Sequence, residues 1–167
     1  FMKKSNHLLH TIHGDAKLKN SIIFCNRKKD VENLARFLTS RGLDNAALHG
    51  NLTQILRNKV LNDFSTGKTN HLIASDVASR GLDIPEVSHV FNFDVPIHLE
   101  DYVHRIGRTG RAGKRGKAIT ICFDREKPII EKIEDLIKKK LDKQYFYQKD
   151  QLAYKVIFSD STPNKGS

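Results

Sequence analysis

An α/β fold, with an open and mainly parallel sheet covered by helices on both faces, is predicted for this chain by three observations. Short apolar runs alternate with segments of helical period. The runs are too short to be buried helices and are bounded by glycine or polar residues. Polar clusters follow the runs, where open parallel sheets bind their ligands. The runs cover residues 21–25, 46–49, 71–76, 89–93 and 118–123. Between the first two, Val31, Leu34, Ala35 and Leu38 recur at i, i+3, i+4 and i+7, one buried stripe of a helix that Gly42 closes. Thr53 is placed to cap the next helix, in which Leu56, Val60 and Phe64 return every fourth residue until Gly67. Another helix follows the fourth run. The last is amphipathic, marked by Ile129, Ile130, Ile133, Leu136, Ile137 and Leu141, with Pro128 at its start. Beyond Gln144 the period fades, and residues 159–167 read as a frayed tail. The expected division is a domain over residues 1–143 and a partly disordered C-terminal extension over 144–167.

At 167 residues and 38% hydrophobic content the chain can bury a real core, which excludes wholesale disorder. A net charge of +10 points to a polyanionic partner. Cys25 and Cys122 each lie inside an apolar run and read as small core hydrophobes, as suits a reducing, cytoplasmic setting. No metal site is expected in this chain. No run reaches membrane-spanning length and no secretory signal opens the sequence, so no membrane partner is expected. Phe1 ahead of Met2 reads as a non-native addition or an excision point.

The stretch Tyr102-Val-His-Arg-Ile-Gly-Arg-Thr-Gly-Arg-Ala-Gly113 carries Arg105, Arg108 and Arg111 at spacings of three, with Gly107 and Gly110 between them. No acid interrupts residues 104–117. Guanidiniums separated by glycines suit a backbone that approaches phosphate oxygens and aims bidentate donors at them. The competing reading is a solvated basic turn. Gly67-Lys68-Thr69 imitates the end of a phosphate-binding loop, but that pattern needs a glycine at position 62, which is asparagine. It reads as a helix end and turn.

Four blocks, in order, resemble the C-terminal RecA-like domain of a DEAD-box RNA helicase. They are Ile22-Ile-Phe-Cys-Asn-Arg-Lys28, His49-Gly-Asn-Leu-Thr-Gln-Ile-Leu-Arg57, Ala74-Ser-Asp-Val-Ala-Ser-Arg-Gly-Leu-Asp-Ile-Pro85 and Tyr102 through Gly113. Val90-Phe-Asn-Phe-Asp-Val-Pro96 adds a short match, and the likeness covers roughly residues 5 to 141. It implies a RecA-like three-layer fold. It also implies that Arg108 and Arg111 are arginine fingers for the γ-phosphate of ATP held by another RecA-like domain. Arg111→Lys should not rescue, because lysine lacks the planar fork. Asp83 is implied to accept hydrogen bonds from the ATP ribose, although an Asp in such a turn could equally cap its own backbone. Asp76, at a strand end, is expected to hold the loop.

RNA contacts, on phosphates and sugar hydroxyls, are implied for Asn26, Arg27, Lys29, Gly50, Gln54, Arg57, Ser75 and Gly81. Ser75 stands where the family usually has threonine. Ile55 and Leu56 occupy positions that are commonly charged. His104 and Arg105 are implied to couple the two domains. The chain has no phosphate-binding loop and no Asp-Glu-Ala-Asp motif. Mg²⁺ is therefore expected to be held by the N-terminal RecA-like domain, which is the expected protein partner, and the fragment alone is expected to be inactive. The implied parent is an ATP-dependent RNA helicase. A stand-alone RNA-binding module and a DNA-translocating relative are the alternatives.

Overall fold

In the computed structural model, which describes residues 1–110, 116–148 and 151–159, the five apolar runs are strands. They are β1 (Ser21–Cys25), β2 (Ala46–Leu48), β3 (His71–Ser75), β4 (His89–Asn92) and β5 (Lys117–Phe123). All five run parallel, with β1 between β3 and β4, β2 outside β3, and β5 beyond β4. Every position of β1, β3 and β4 is buried, which is why those strands read as unbroken apolar runs rather than alternating ones.

The helices are α1 (Met2–Gly14), α2 (Lys28–Ser40), α3 (Gln54–Ser65), α4 (Asp76–Ser79), α5 (Leu99–Ile106) and α6 (Lys127–Ile137). Ile23, Cys25, Ile73, Phe91 and Ile119 turn to one face of the sheet, where Leu8 and Ile12 of α1 and Val31, Leu34 and Leu38 of α2 cover them. Their neighbours Ile22, Phe24, Leu72, Ala74 and Val90 turn to the other, against Phe64 of α3 and Ala78 of α4. Tyr102 of α5 and Ile130 and Ile133 of α6 close that side around Cys122. The result is a three-layer, RecA-like α/β fold.

The expected helix ends are met locally. Thr53 Oγ1 accepts the amide of Leu56 at 3.2 Å. Gly42 takes a φ of +80° while Leu43 N returns to Leu38 O at 3.0 Å, the glycine-closed end of α2. Gly67 does the same work after α3 at φ +80°, so Gly67-Lys68-Thr69 is a turn. No helix among the described residues is long and apolar enough to cross a membrane.

The structure departs from the sequence reading at α1, at the short α4, at the end of α6, which stops at Ile137 before Leu141, and in the C-terminal segment. Helix α1 was not expected, because its inward stripe is only Ser5, Leu8 and Ile12, with His7, His10 and His13 interleaved. The period that fades after Gln144 gives way to two strands, β6 (Asp142–Gln148) and β7 (Gln151–Ser159). Strand β7 lies antiparallel on β5 and β6 antiparallel on β7, so the hairpin extends the same sheet and covers the edge of β5. A period of two replaces a period of 3.6, and a search for helical stripes does not register it. Residues 160–167 lie outside the described residues.

At the foot of the sheet His71 is buried, with Nδ1 2.7 Å from Ser21 Oγ. Burial holds its pKa below the ordinary histidine value, against a smaller upward pull from Asp44. His89 is also lowered, first by burial, although Asp15 Oδ2 lies 2.7 Å from its Nε2. A folded-state pKa below the unfolded one means that the unfolded chain binds more protons as pH falls. The stability is whole above about pH 6.5 and declines below it. The urea midpoint is expected to fall steadily on acidification through that range, and His71→Asn, which cannot titrate, to flatten the slope.

Candidate functional site

Helix α5 brings the basic motif across the carboxyl ends of the strands. Its inward face carries Asp101, Tyr102 and Arg105, all buried, while Val103 and His104 point out. Arg105 is 1% exposed and lies over the Phe24 ring, 5.2 Å from its centroid. Each of its five N–H donors has an acceptor. Nε and Nη2 grip Asp76 Oδ1 and Oδ2 at 2.8 and 2.6 Å. Nη1 serves Asn92 Oδ1 at 3.3 Å and Asp94 O at 2.9 Å, and Nη2 also serves Asn26 Oδ1 at 2.8 Å. One guanidinium thus fastens the segments that follow β1, β3 and β4.

Two of the expected site residues are engaged in this network. All five N–H donors of Arg105 are taken within the domain. The Asn26 side chain, expected at RNA, is turned inward. Its Oδ1 is taken by Arg105, its Nδ2 donates to Val95 O at 2.9 Å, and its backbone amide donates to Asp94 Oδ2 at 2.9 Å. Asp76, by contrast, holds the loop as expected.

The segment after α5 carries Arg108, whose Nη1 and Nη2 reach Leu82 O at 3.3 Å and Ser79 O at 3.5 Å. Asp83 is the next residue along that turn. It is exposed and makes no hydrogen bond or ion pair among the described residues. The turn itself needs Gly81, at φ +76°. Val87 N donates to Arg108 O at 3.0 Å, and Thr109 Oγ1 donates back to Val87 O. Arg108 and Asp83 therefore keep a fixed relation on one rim. Gly110 and Gly116 pack so closely that a Cβ on Gly116 would lie 2.8 Å from Gly110 Cα. Arg111 falls between them, outside the described residues.

A cleft of about 440 Å³ opens between α4 and α5, lined among others by Asp76, Arg80, Asp101, His104 and Arg108. Arg80 pairs with Asp101 at 3.4 Å, and exposed His104 stands 4.0 Å from the same carboxylate. Cys25, close to this edge, is pushed well above its ordinary pKa by burial, with Asp94 and Asp30 adding to it. It stays an inert thiol.

The remaining expected RNA positions line the same edge. Arg27 and Lys29 are exposed at the start of α2, Arg27 Nε pairing with Asp30 at 3.1 Å. Gly50 is exposed, and a Cβ there would meet nothing within 4 Å, so this chain itself does not demand glycine. Gln54 is exposed and donates to Asn58 Oδ1 at 2.9 Å. Arg57, a turn further on, is half-buried, with an Nε that finds no partner among the described residues. Ser75 is buried, and its Oγ caps α4 by accepting Ala78 N at 3.3 Å. Sequence reasoning missed Arg80, Asn92 and Asp94. All three lie inside the matched blocks, Arg80 in the third and Asn92 and Asp94 in Val90-Phe-Asn-Phe-Asp-Val-Pro96, but no role was attached to them.

The parallel sheet, its covered faces and this strand-end rim define a RecA-like domain of the helicase class. Residues 3–113 match the helicase conserved C-terminal domain, and the chain belongs to that family, in its DEAD-box branch. It is 50% identical over 123 residues to the DEAD-box ATP-dependent RNA helicase CshA of Bacillus subtilis (strain 168), a match covering 74% of this chain and 25% of that protein. The chain thus spans about a quarter of the length of the curated relatives it matches first. Among solved structures, Escherichia coli DEAD-box protein SrmB bound to regulator of ribonuclease activity A superposes with a TM-score of 0.76 at 39% identity, covering 81% of this chain and 79% of that one. A DEAD box protein from Methanococcus jannaschii gives 0.75 at 40% identity, over 83% and 38%.

Proposed function

We propose that this chain is the C-terminal half of an ATP-dependent RNA helicase, and that its rim completes an ATP site whose other half lies on an N-terminal RecA-like domain. The observation that carries this reading is the shared turn. Arg108 holds the carbonyls of Ser79 and Leu82, and Asp83 projects from the same turn as an exposed acceptor. A carboxylate suits paired ribose hydroxyls, and a guanidinium on a fixed frame suits the charge that builds on a transferring phosphoryl group. Arg111 joins Arg108 in that role on its place in the motif. Among the described residues no cluster of three or more His, Cys, Asp or Glu side chains could hold a metal ion. Mg²⁺ is assigned to the N-terminal domain, where the phosphate-binding loop and Asp-Glu-Ala-Asp motif that this sequence lacks are expected.

Ser75 ends β3, and Arg27, Lys29, Gly50, Gln54, Arg57 and Gly81 lie in the segments that follow β1, β2 and β3. They form half of an RNA surface that reads phosphate and sugar rather than sequence. Closure of the two domains on ATP and a single strand would bend that strand out of duplex geometry, and release would follow hydrolysis. His104, exposed beside the cleft, remains the direct candidate for contact with the N-terminal domain.

The test uses the purified chain alone and with a separately expressed N-terminal half carrying a phosphate-binding loop and an Asp-Glu-Ala-Asp motif. The chain alone is expected to show no RNA-stimulated ATP hydrolysis, and the mixture to show it. Turnover by the chain alone would contradict the half-site reading. RNA binding with no turnover from the mixture would favour a stand-alone RNA-binding module, and equal stimulation by DNA would favour a DNA translocase.

A further inference from the structure

Lys4 lies in the first turn of α1, remote in sequence from every segment of the rim, yet it is built into it. Its side chain is 11% exposed. Nζ sits 3.2 Å from Asp94 Oδ1 and lies 5.4 and 5.1 Å from the ring centroids of Phe93 and Phe123. A lysine held this way gives up hydration and rotamer freedom, which rings on two sides and a carboxylate offset. The other oxygen of Asp94 accepts the amide of Asn26 at 2.9 Å. Residues 27–29 follow at once.

Helix α2 begins there without the usual help. Its N-cap is Arg27, and no side chain caps the first turn. What holds the entry to α2 is therefore Asn26, fixed by Asp94 through its amide and by Arg105 and the Val95 carbonyl through its side chain. Arg105 is buried in the core network, whereas Asp94 keeps 19% of its side chain exposed and is held at Oδ1 by Lys4 and at Oδ2 by the Asn26 amide. Without the ammonium, Asp94 could turn to water and release the Asn26 amide.

We propose that Lys4 is a positioning residue for the loop bearing Arg27 and Lys29: through Asp94 and Asn26 it fixes the direction in which those two cations are presented to RNA phosphates. The inference rests on the reading above that this loop meets RNA.

The experiment measures binding of a short fluorescein-labelled oligouridine to this chain at low salt. Lys4→Met keeps an unbranched stem between the two phenylalanine rings and removes the charge. It is expected to weaken binding roughly five-fold, and Lys4→Arg to restore it. Arg27→Ala with Lys29→Ala should weaken binding further, and adding Lys4→Met to that pair should change nothing more. If Lys4→Met lowers affinity by the same factor in both backgrounds, its role is merely structural and the proposal fails. It also fails if Lys4→Met binds like the unchanged chain while the Arg27/Lys29 pair matters. Should the Arg27/Lys29 pair itself leave binding unchanged, the RNA reading of the loop falls, and this inference with it.

Discussion

Replacing Arg105 with alanine is expected to cost the domain about 3–5 kcal/mol, a large part of what a domain of this size has to lose. The loss exceeds that of an ordinary ion pair because the guanidinium is buried and serves four residues. Its removal leaves the Asp76 carboxylate, Asn92 Oδ1, Asn26 Oδ1 and Asp94 O without their donor. Arg105→Lys should fare little better, since an ammonium has three donors at a point and no planar fork. The pair should also be coupled. In Arg105→Met with Asp76→Asn the stranded charge disappears, so the double variant should be less destabilised than the sum of the singles by about 1–3 kcal/mol. Urea denaturation of Arg105→Ala and of the four proteins of the Arg105→Met/Asp76→Asn cycle measures this. An Arg105→Ala midpoint close to that of the unchanged chain would show that the three segments are held by something else.

The sequence made the sheet legible because each central strand is buried on both faces, which leaves an unbroken apolar run. Strand β1 was read to the residue, and the others to within one. Helix α1 and the β6–β7 hairpin escaped, the first for want of a dense stripe and the second because its period is two. Within the site, the order of polar clusters after the strands was legible, but their direction was not. His104 and Arg105 are adjacent letters of one motif, yet a helix advances about 100° per residue and sends one outward and the other into the core. Asn26 was assigned to RNA on similar grounds and faces inward instead. Pairs such as Lys4 with Asp94, 90 residues apart, leave no local trace at all. Only the fold brings them together.

In an enzyme assembled from this chain and an N-terminal half, alanine at Arg108 or at Arg111 is expected to lower RNA-stimulated ATP hydrolysis by roughly 10³–10⁵-fold, about 4–7 kcal/mol of barrier. The size follows from where the charge acts. A guanidinium aimed at the transferring phosphoryl group meets more negative charge in the transition state than in bound ATP, so its removal should fall on kcat rather than on ATP affinity. Lysine at either position should recover little, because charge without the fork does not match the equatorial oxygens. Arg108 requires a control, since it also holds the carbonyls of Ser79 and Leu82 and its loss could loosen the turn bearing Asp83. A loosened turn would raise KM through the ribose contact proposed for Asp83, whereas a lost finger would lower kcat with RNA affinity and thermal midpoint unchanged. Arg108→Lys and Arg111→Lys that keep turnover near the level of the unchanged enzyme would remove the reason for placing two arginines there, and the finger assignment with it.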